Sequence, residues 1–301
     1  MTSNRPMAIA GAGSIGCFVG GMYAAAGRRV ALLARPRVIA AIAGHGLRLT
    51  SFDGLDRHLA PNALTLSEDP AMFGDAGAVL VTVKSADTAG IADIIARHAP
   101  TDAVIVSLQN GVGNVPVLRG RLPGRRVLAG MVSFNVVARG EGRFHRATSG
   151  DIVIERDGVG TADALSVPGL KVRSSADIAG VQWGKLLVNL NNALNALSDL
   201  PLRRQLAQRA WRRLFADQMA EGLAAIKAKG IRPVSSTPVL AGLDAVSAAT
   251  ARRHLQRAAR KHDEDRSRGA LLDVGRLAAR PSDRGRLSAG RDRRNRRPAW
   301  S

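Results

Sequence analysis

At 301 residues, 46% of them hydrophobic, the chain is long enough for two domains and a sizeable core. Its single cysteine, Cys17, excludes an intrachain disulfide and a thiolate zinc cluster, and no apolar run nears the ~20 residues of a membrane span. The formal net charge of +20 suggests nucleic acid at first, but residues 240–301 hold 16 Lys plus Arg against 7 Asp plus Glu, +9, leaving +11 for residues 1–239. The stretch from Met1 to Pro6 is short and polar, without a hydrophobic signal region, so a cytoplasmic protein is expected.

Residues 7–10 form a short apolar strand that enters Gly11-Ala12-Gly13-Ser14-Ile15-Gly16. A helix of small residues follows to about Ala26, with Gly27 placed to stop it, and Cys17 on that helix reads as a small buried hydrophobe. Residues 30–34, 78–83 and 103–108 are further strands. Each is apolar throughout rather than alternating, the pattern of a parallel sheet covered on both faces. Residues 86–98 fit a connecting helix, and 127–137 and 151–155 add strands toward the edge. From residue 176 the period changes, and 176–197 and 202–229 read as two long helices with Gly230 as a stop.

The predicted fold is therefore α/β, an N-terminal Rossmann doubly wound sheet (1–174) followed by an all-helical C-terminal domain that is incomplete as written (175–239). After Pro238 the pattern dissolves into a stretch crowded with Arg, Gly, Ser and Asp. Taken at face value, 240–301 is a disordered basic tail.

The GAGSIG segment matches G-x-G-x-x-G in its required setting, after a strand and opening a helix. Gly11 permits the tight turn, Gly13 lets the backbone approach a pyrophosphate, and Gly16 lets helix lie close to strand. Ala12, Ser14 and Ile15 complete a helix N-terminus whose free N–H groups face the phosphates. The second strand ends on Arg35, with Arg37 nearby and no carboxylate. A cation there suits a 2′-phosphate, so NADPH is favoured over NADH.

Three more segments follow in a set order: Lys84 after AVLVTV; Gln109-Asn110-Gly111-Val112-Gly113 after AVIVSL; and Trp183-Gly184-Lys185-Leu186-Leu187-Val188-Asn189 on the first long helix. Over residues 7 to about 239 the chain resembles the ketopantoate reductases (2-dehydropantoate 2-reductases), NADPH enzymes of the pantothenate pathway. The resemblance implies reduction of the C2 ketone of 2-dehydropantoate, with Lys185 as general acid. It places Asn110 beside nicotinamide and substrate, and Lys84 on the cofactor side. Hydride addition builds negative charge on the ketone oxygen, which a nearby ammonium both stabilises and protonates. Asn189 and Asn192 follow Lys185 at i+4 and i+7 on one helix face and are candidate substrate contacts; Asn191 and Asn195 compete with Asn192 for that role. The partner implied is a small 2-keto acid, with neither specific nucleic acid nor membrane, and a homodimer is allowed. His98 reads as a helix C-terminal residue, and His145 as an exposed residue of a hairpin.

The family places a serine and a glutamate in a segment resembling S-S-M … T-E-x-D, and no such segment exists as written. Allowed codons for residues 271–294, read one nucleotide later, can give SSMWDDLQHGRPTEVDYLQGEIV, free of stops. The shifted serine codon would straddle Leu272 and Asp273, and the glutamate codon Arg284 and Gly285. The expectation is that residues from about 240 onward are out of frame. Three readings result: a 2-dehydropantoate reductase or a related 2-keto-acid reductase, a catalytically dead NADP-binding protein, or an unspecific nucleic-acid binder using the arginine tail.

Overall fold

Apolar runs with no room for a polar face become neighbouring strands of one central sheet. The computed structural model describes residues 5–234. It begins with β1 (Met7–Ala10), α1 (Ser14–Ala25), β2 (Val30–Leu33), α2 (Pro36–His45), β3 (Leu47–Ser51), β4 (Asp56–Leu59) and β5 (Thr65–Ser67). There follow β6 (Ala78–Val81), α3 (Thr88–His98), β7 (Val104–Ser107), α4 (Asn114–Arg121), β8 (Val127–Val132), β9 (Val136–Ala138) and β10 (Arg143–Arg146). The sheet region closes with β11 (Ile152–Glu155), α5 (Thr161–Leu165) and β12 (Val172–Ser175). Four helices come next: α6 (Ile178–Asn189), α7 (Asn191–Ser198), α8 (Leu202–Ala207) and α9 (Arg209–Ala228).

The large sheet has the order β12-β11-β8-β7-β6-β1-β2-β5, parallel except where β11 meets β8. Ala10 pairs with both Leu33 and Val81, Val81 with Ser107, and Ser107 with Ala129. The loops after β1, β2, β6 and β7 therefore leave the sheet level with one another on one edge. Strand order reverses between β1 and β6, the switch point at which such sheets bind ligands.

Alternate residues feed two cores. Ile9, Leu80, Val106 and Ile154 pack on the side of α1, while Ala8, Val79, Ile105 and Val153 pack toward α3, α4 and the start of α6. Both faces are covered, which is why the strands read as continuous apolar runs. A third cluster joins Leu187, Leu194, Phe215, Met219 and Ile226 among the last helices. Cys17 is buried in the first core and its thiol is pushed up to about 12 by desolvation, so it packs rather than reacts.

The structure departs from expectation in three places. A second sheet, β4-β3-β10-β9, caps α1, built from strands such as LRLTS and RFHR whose charged residues hide their one apolar face. Gly21 of α1 makes room for it, since a Cβ there would strike Leu47 and Leu49, while Gly20 gives the same clearance to Leu32 and Ile9 of the large sheet. His145 lies in that sheet, in the expected hairpin with β9, but it is buried rather than exposed. Its Nδ1 lies 2.8 Å from the Thr50 hydroxyl, and burial together with nearby Arg139 holds its pKa below the usual value.

The two long helices are each broken. At the second break Gln208 is extended, and the Arg212 guanidinium takes up the freed carbonyls of Leu206 (2.8 Å) and Ala207 (2.7 Å). Among the described residues no helix is long and apolar enough to cross a membrane. The expectation for 240–301 falls outside the described residues.

Candidate active site

The glycine loop sits at the switch point, and packing explains two of its three glycines. Gly11 has φ +114°, and a Cβ on it would meet the Val83 backbone nitrogen at 2.9 Å. A Cβ on Gly16 would collide with the Gly11 carbonyl oxygen and lie 2.7 Å from the Thr82 hydroxyl. That hydroxyl donates to the Gly11 carbonyl at 2.6 Å, fixing the turn from the neighbouring strand. Gly13 is different. It caps α1 with ordinary extended dihedrals, and nothing lies within 4 Å of the place its Cβ would take.

No side chain caps α1, and its first turn holds no acid, so its free N–H groups face open space. Ala12, Ser14 and Ile15 are half-buried around it. A bare backbone bay at a helix N-terminus fits a pyrophosphate.

This contrast makes an expected result. Gly13→Ala should melt at or slightly above the parent temperature, because its dihedrals suit alanine, yet bind a dinucleotide at least about tenfold more weakly. Gly16→Ala should lower both. Melting curves and cofactor fluorescence titrations on the two variants check this; equal affinity in Gly13→Ala and parent would exclude pyrophosphate from the bay.

The other sequence-predicted residues surround the same edge. Arg35 is the extended N-cap of α2, and it and Arg37 are exposed, with no side-chain partner among the described residues. Lys84 and Asn110, at the ends of β6 and β7, are likewise exposed.

Lys185 arrives from α6. Asp177 starts that helix by accepting from the Gly180 N–H at 2.8 Å. Ile178, Val181, Gln182, Lys185 and Asn189 then fall on one face by their three- and four-residue spacing. Ile178 and Val181 pack into the sheet-side core, and the Gln182 amide donates to the Gly130 carbonyl at 3.1 Å. Gly130 follows Ala129, the partner of Ser107, so the helix is pinned at the level where the β7 loop leaves the sheet. Lys185 is a turn further on, largely withdrawn from water and with no hydrogen bond or ion pair among the described residues. Burial lowers its pKa from the usual 10.5.

Asn189, half-buried, ends α6 on that face. The structure separates the competing asparagines. Asn191 and Asn195 are tied to the fully buried Gln205, Asn191 through reciprocal amide bonds of 3.3 and 3.2 Å. Asn192 is exposed with a free amide among the described residues. Sequence reasoning missed Thr82, Gln182 and the buried pair Thr88 and Asn114. They resemble ordinary core-edge polar residues, and only the paired strand ends bring them to the site.

A cavity of about 590 Å³ opens at the opposite, amino edge, with Arg5, Arg28, Arg126 and Asp102 in its wall. Its arginines are engaged in the fold: Arg5 with Asp102 (2.6 Å), Arg28 with the Ala164 carbonyl (3.2 Å) and Arg126 with the Thr161 hydroxyl (3.4 Å). The reacting edge is the other one.

A doubly wound sheet with a bare glycine bay at its switch point, in a chain that matches a reductase family, defines an oxidoreductase that uses a nicotinamide dinucleotide. The comparisons narrow that class. Residues 7–157 match the family described as Ketopantoate reductase PanE/ApbA, and 177–277 match Ketopantoate reductase PanE/ApbA C terminal. The chain belongs to the ketopantoate reductase family, whose members act on CH–OH and ketone groups.

The 2-dehydropantoate 2-reductase of Halobacterium salinarum is 31% identical over 232 residues, 74% of this chain and 75% of that one. Among solved structures, a PanE/ApbA family ketopantoate reductase from Ralstonia eutropha has TM-score 0.68 at 28% identity, covering 86% of this chain and 99% of that one. The 2-dehydropantoate 2-reductase from Geobacter metallireducens has TM-score 0.71 at 26% identity, covering 90% and 89%. The C-terminal match runs beyond residue 239, at about which the sequence resemblance is expected to end. It stops at 277, ahead of Arg284.

Proposed function

We propose that the protein reduces 2-dehydropantoate to pantoate with NADPH, the reductive step of pantothenate synthesis. The observation that carries this reading is Lys185: a sequestered ammonium with no counter-ion among the described residues, on a helix pinned to the edge that bears the glycine bay. When bound, the nicotinamide supplies hydride to the C2 carbon. Lys185 Nζ–H meets the negative charge that grows on the ketone oxygen and gives up a proton there. Its lowered pKa eases that transfer.

Asn110 orients the substrate and nicotinamide, Asn189 and Asn192 offer amides to the keto acid, and Lys84 holds the cofactor side. Residues 1–174 serve as the cofactor domain, and 175–239 begin the substrate domain. The names of the relatives and the order of the motifs support the substrate; Arg35 and Arg37, without a side-chain partner among the described residues and placed where a ribose 2′-phosphate would lie, support NADPH.

The test is consumption of NADPH with 2-dehydropantoate beside other 2-keto acids. Arg35→Asp should weaken NADPH roughly ten- to a hundredfold and favour NADH, because a bidentate cation is replaced by an anion facing the 2′-phosphate. Unchanged preference would move the 2′-phosphate elsewhere.

The second reading is a protein that binds NADP without turnover. It is favoured by the missing serine and glutamate segment, and we attribute that absence to a shift of reading frame from about residue 240.

A further inference from the structure

Two loops leave the carboxyl edge side by side, residues 82–87 after β6 and 108–113 after β7. Each carries one residue read above as facing the cofactor, Lys84 and Asn110. Both side chains are exposed and make no hydrogen bond among the described residues, so their position is set by the backbone that presents them.

Beneath them lies a buried polar relay. Thr88, 2% exposed, opens α3; Asn114, 5% exposed, opens α4; Gln109, 6% exposed, stands between the two loops. The Gln109 amide donates to the Val83 carbonyl at 3.1 Å and to the Thr88 hydroxyl at 2.8 Å, and its oxygen accepts from Ser107 at 3.1 Å. The Thr88 hydroxyl has one proton and two acceptors in reach, the Ser85 carbonyl at 2.9 Å and the Asn114 side-chain oxygen at 3.0 Å. Asn114 in turn donates to the Asn110 carbonyl at 2.8 Å.

The relay thus runs from the carbonyl just before Lys84 to the carbonyl of Asn110 itself. Four polar side chains are removed from water here at a cost that only full pairing offsets. An apolar filling would hold the two loops together without fixing their register, whereas directional bonds allow one geometry.

We propose that Thr88 is a positioning residue. Acting through Gln109 and Asn114, it locks the backbones of the two loops so that Lys84 and Asn110 meet the dinucleotide together. The inference rests on the cofactor-side reading of Lys84.

The experiment is a set of NADPH dissociation constants from fluorescence titration, with a melting curve for each variant. Thr88→Val should bind about tenfold more weakly, the effect of losing roughly one buried hydrogen bond, and Thr88→Ser should restore affinity to within about twofold of the parent. Asn114→Ala, at the far end of the relay, should weaken binding by the same order and serves if Thr88→Val does not fold.

A Lys84→Ala, Thr88→Val double variant should lose less affinity than the sum of the two single losses, since part of the Thr88 effect passes through Lys84. Parent-like affinity in Thr88→Val and Asn114→Ala, or simple addition of the Lys84 and Thr88 losses, overturns the inference and leaves the function standing. An unchanged Kd in Lys84→Ala overturns the reading of Lys84 and this inference with it. Failure of the parent to bind NADPH at all overturns the proposed function.

Discussion

Replacing Lys185 with methionine is expected to raise the melting temperature by a few degrees and to lower kcat a hundred- to ten-thousandfold. The two effects have one cause. An ammonium withdrawn from water, with no counter-ion among the described residues, is a strain on the fold, and methionine of similar length fills the same space at no electrostatic cost. The lysine's folded pKa lies below its unfolded value, so the cation is disfavoured by folding. The destabilisation is complete below the folded pKa, fades as pH rises through it, and is gone by the ordinary value of 10.5. The stability gain of the variant should follow the same course, full below the folded pKa and absent above 10.5.

Turnover adds a second sign. A general acid must be protonated in the free enzyme, so kcat/KM should fall on the alkaline side with a midpoint below 10.5. A lysine that merely snorkels to solvent would give neither result. A variant that melts lower and turns over at the parent rate would remove Lys185 from the chemistry.

How much of this was legible in the sequence depends on where each signal resides. The Rossmann half was readable because its strands are buried on both faces and its glycine motif has a fixed spacing. The strand over residues 7–10 and the helix stop at Gly27 (φ +77°) were both found where expected. Lys185 was readable from W-G-K-L-x-x-N, a pattern of residue types.

The small sheet was not, because β4 (DRHL) exposes three of its four residues and β3 pairs with β10, distant in sequence, so no local period marks it. The breaks in the long helices were hidden for a similar reason: an Asn191–Gln205 amide pair and an Arg212 that collects loose carbonyls are tertiary events. His145 misled because a hairpin histidine is exposed more often than buried; here α1 needs a lid, and β10 supplies it. The asparagine ambiguity shows the complement. Sequence offered four amides on one helical run, and packing consumed Asn191 and Asn195, leaving Asn189 and Asn192 on offer.

Restoring the reading frame near residue 240 is expected to raise turnover of 2-dehydropantoate at least about a hundredfold over the chain as it stands, with NADPH affinity changed little. The separation follows from where the parts lie. Every residue assigned to the dinucleotide, from Gly11 to Asn110, belongs to the sheet half, whose two cores among the described residues are drawn from residues 7–181. On the out-of-frame reading, the serine and glutamate that would complete the substrate side lie in the shifted segment; the family match runs to 277, across the place of the serine at Leu272 and Asp273 and short of that of the glutamate. Polar contacts to a reacting substrate are each worth about a hundredfold or more when they strengthen in the transition state. Losing two of them therefore abolishes useful turnover while leaving a cofactor-binding fold. The measurement is NADPH consumption and NADPH affinity on both chains, with Lys185→Ala in the restored one. If the chain as it stands turns over as fast as the restored one, the arginine-rich segment is native and the frame argument fails. If both bind NADPH and neither reduces the keto acid, the cofactor site survives and the substrate is a different one.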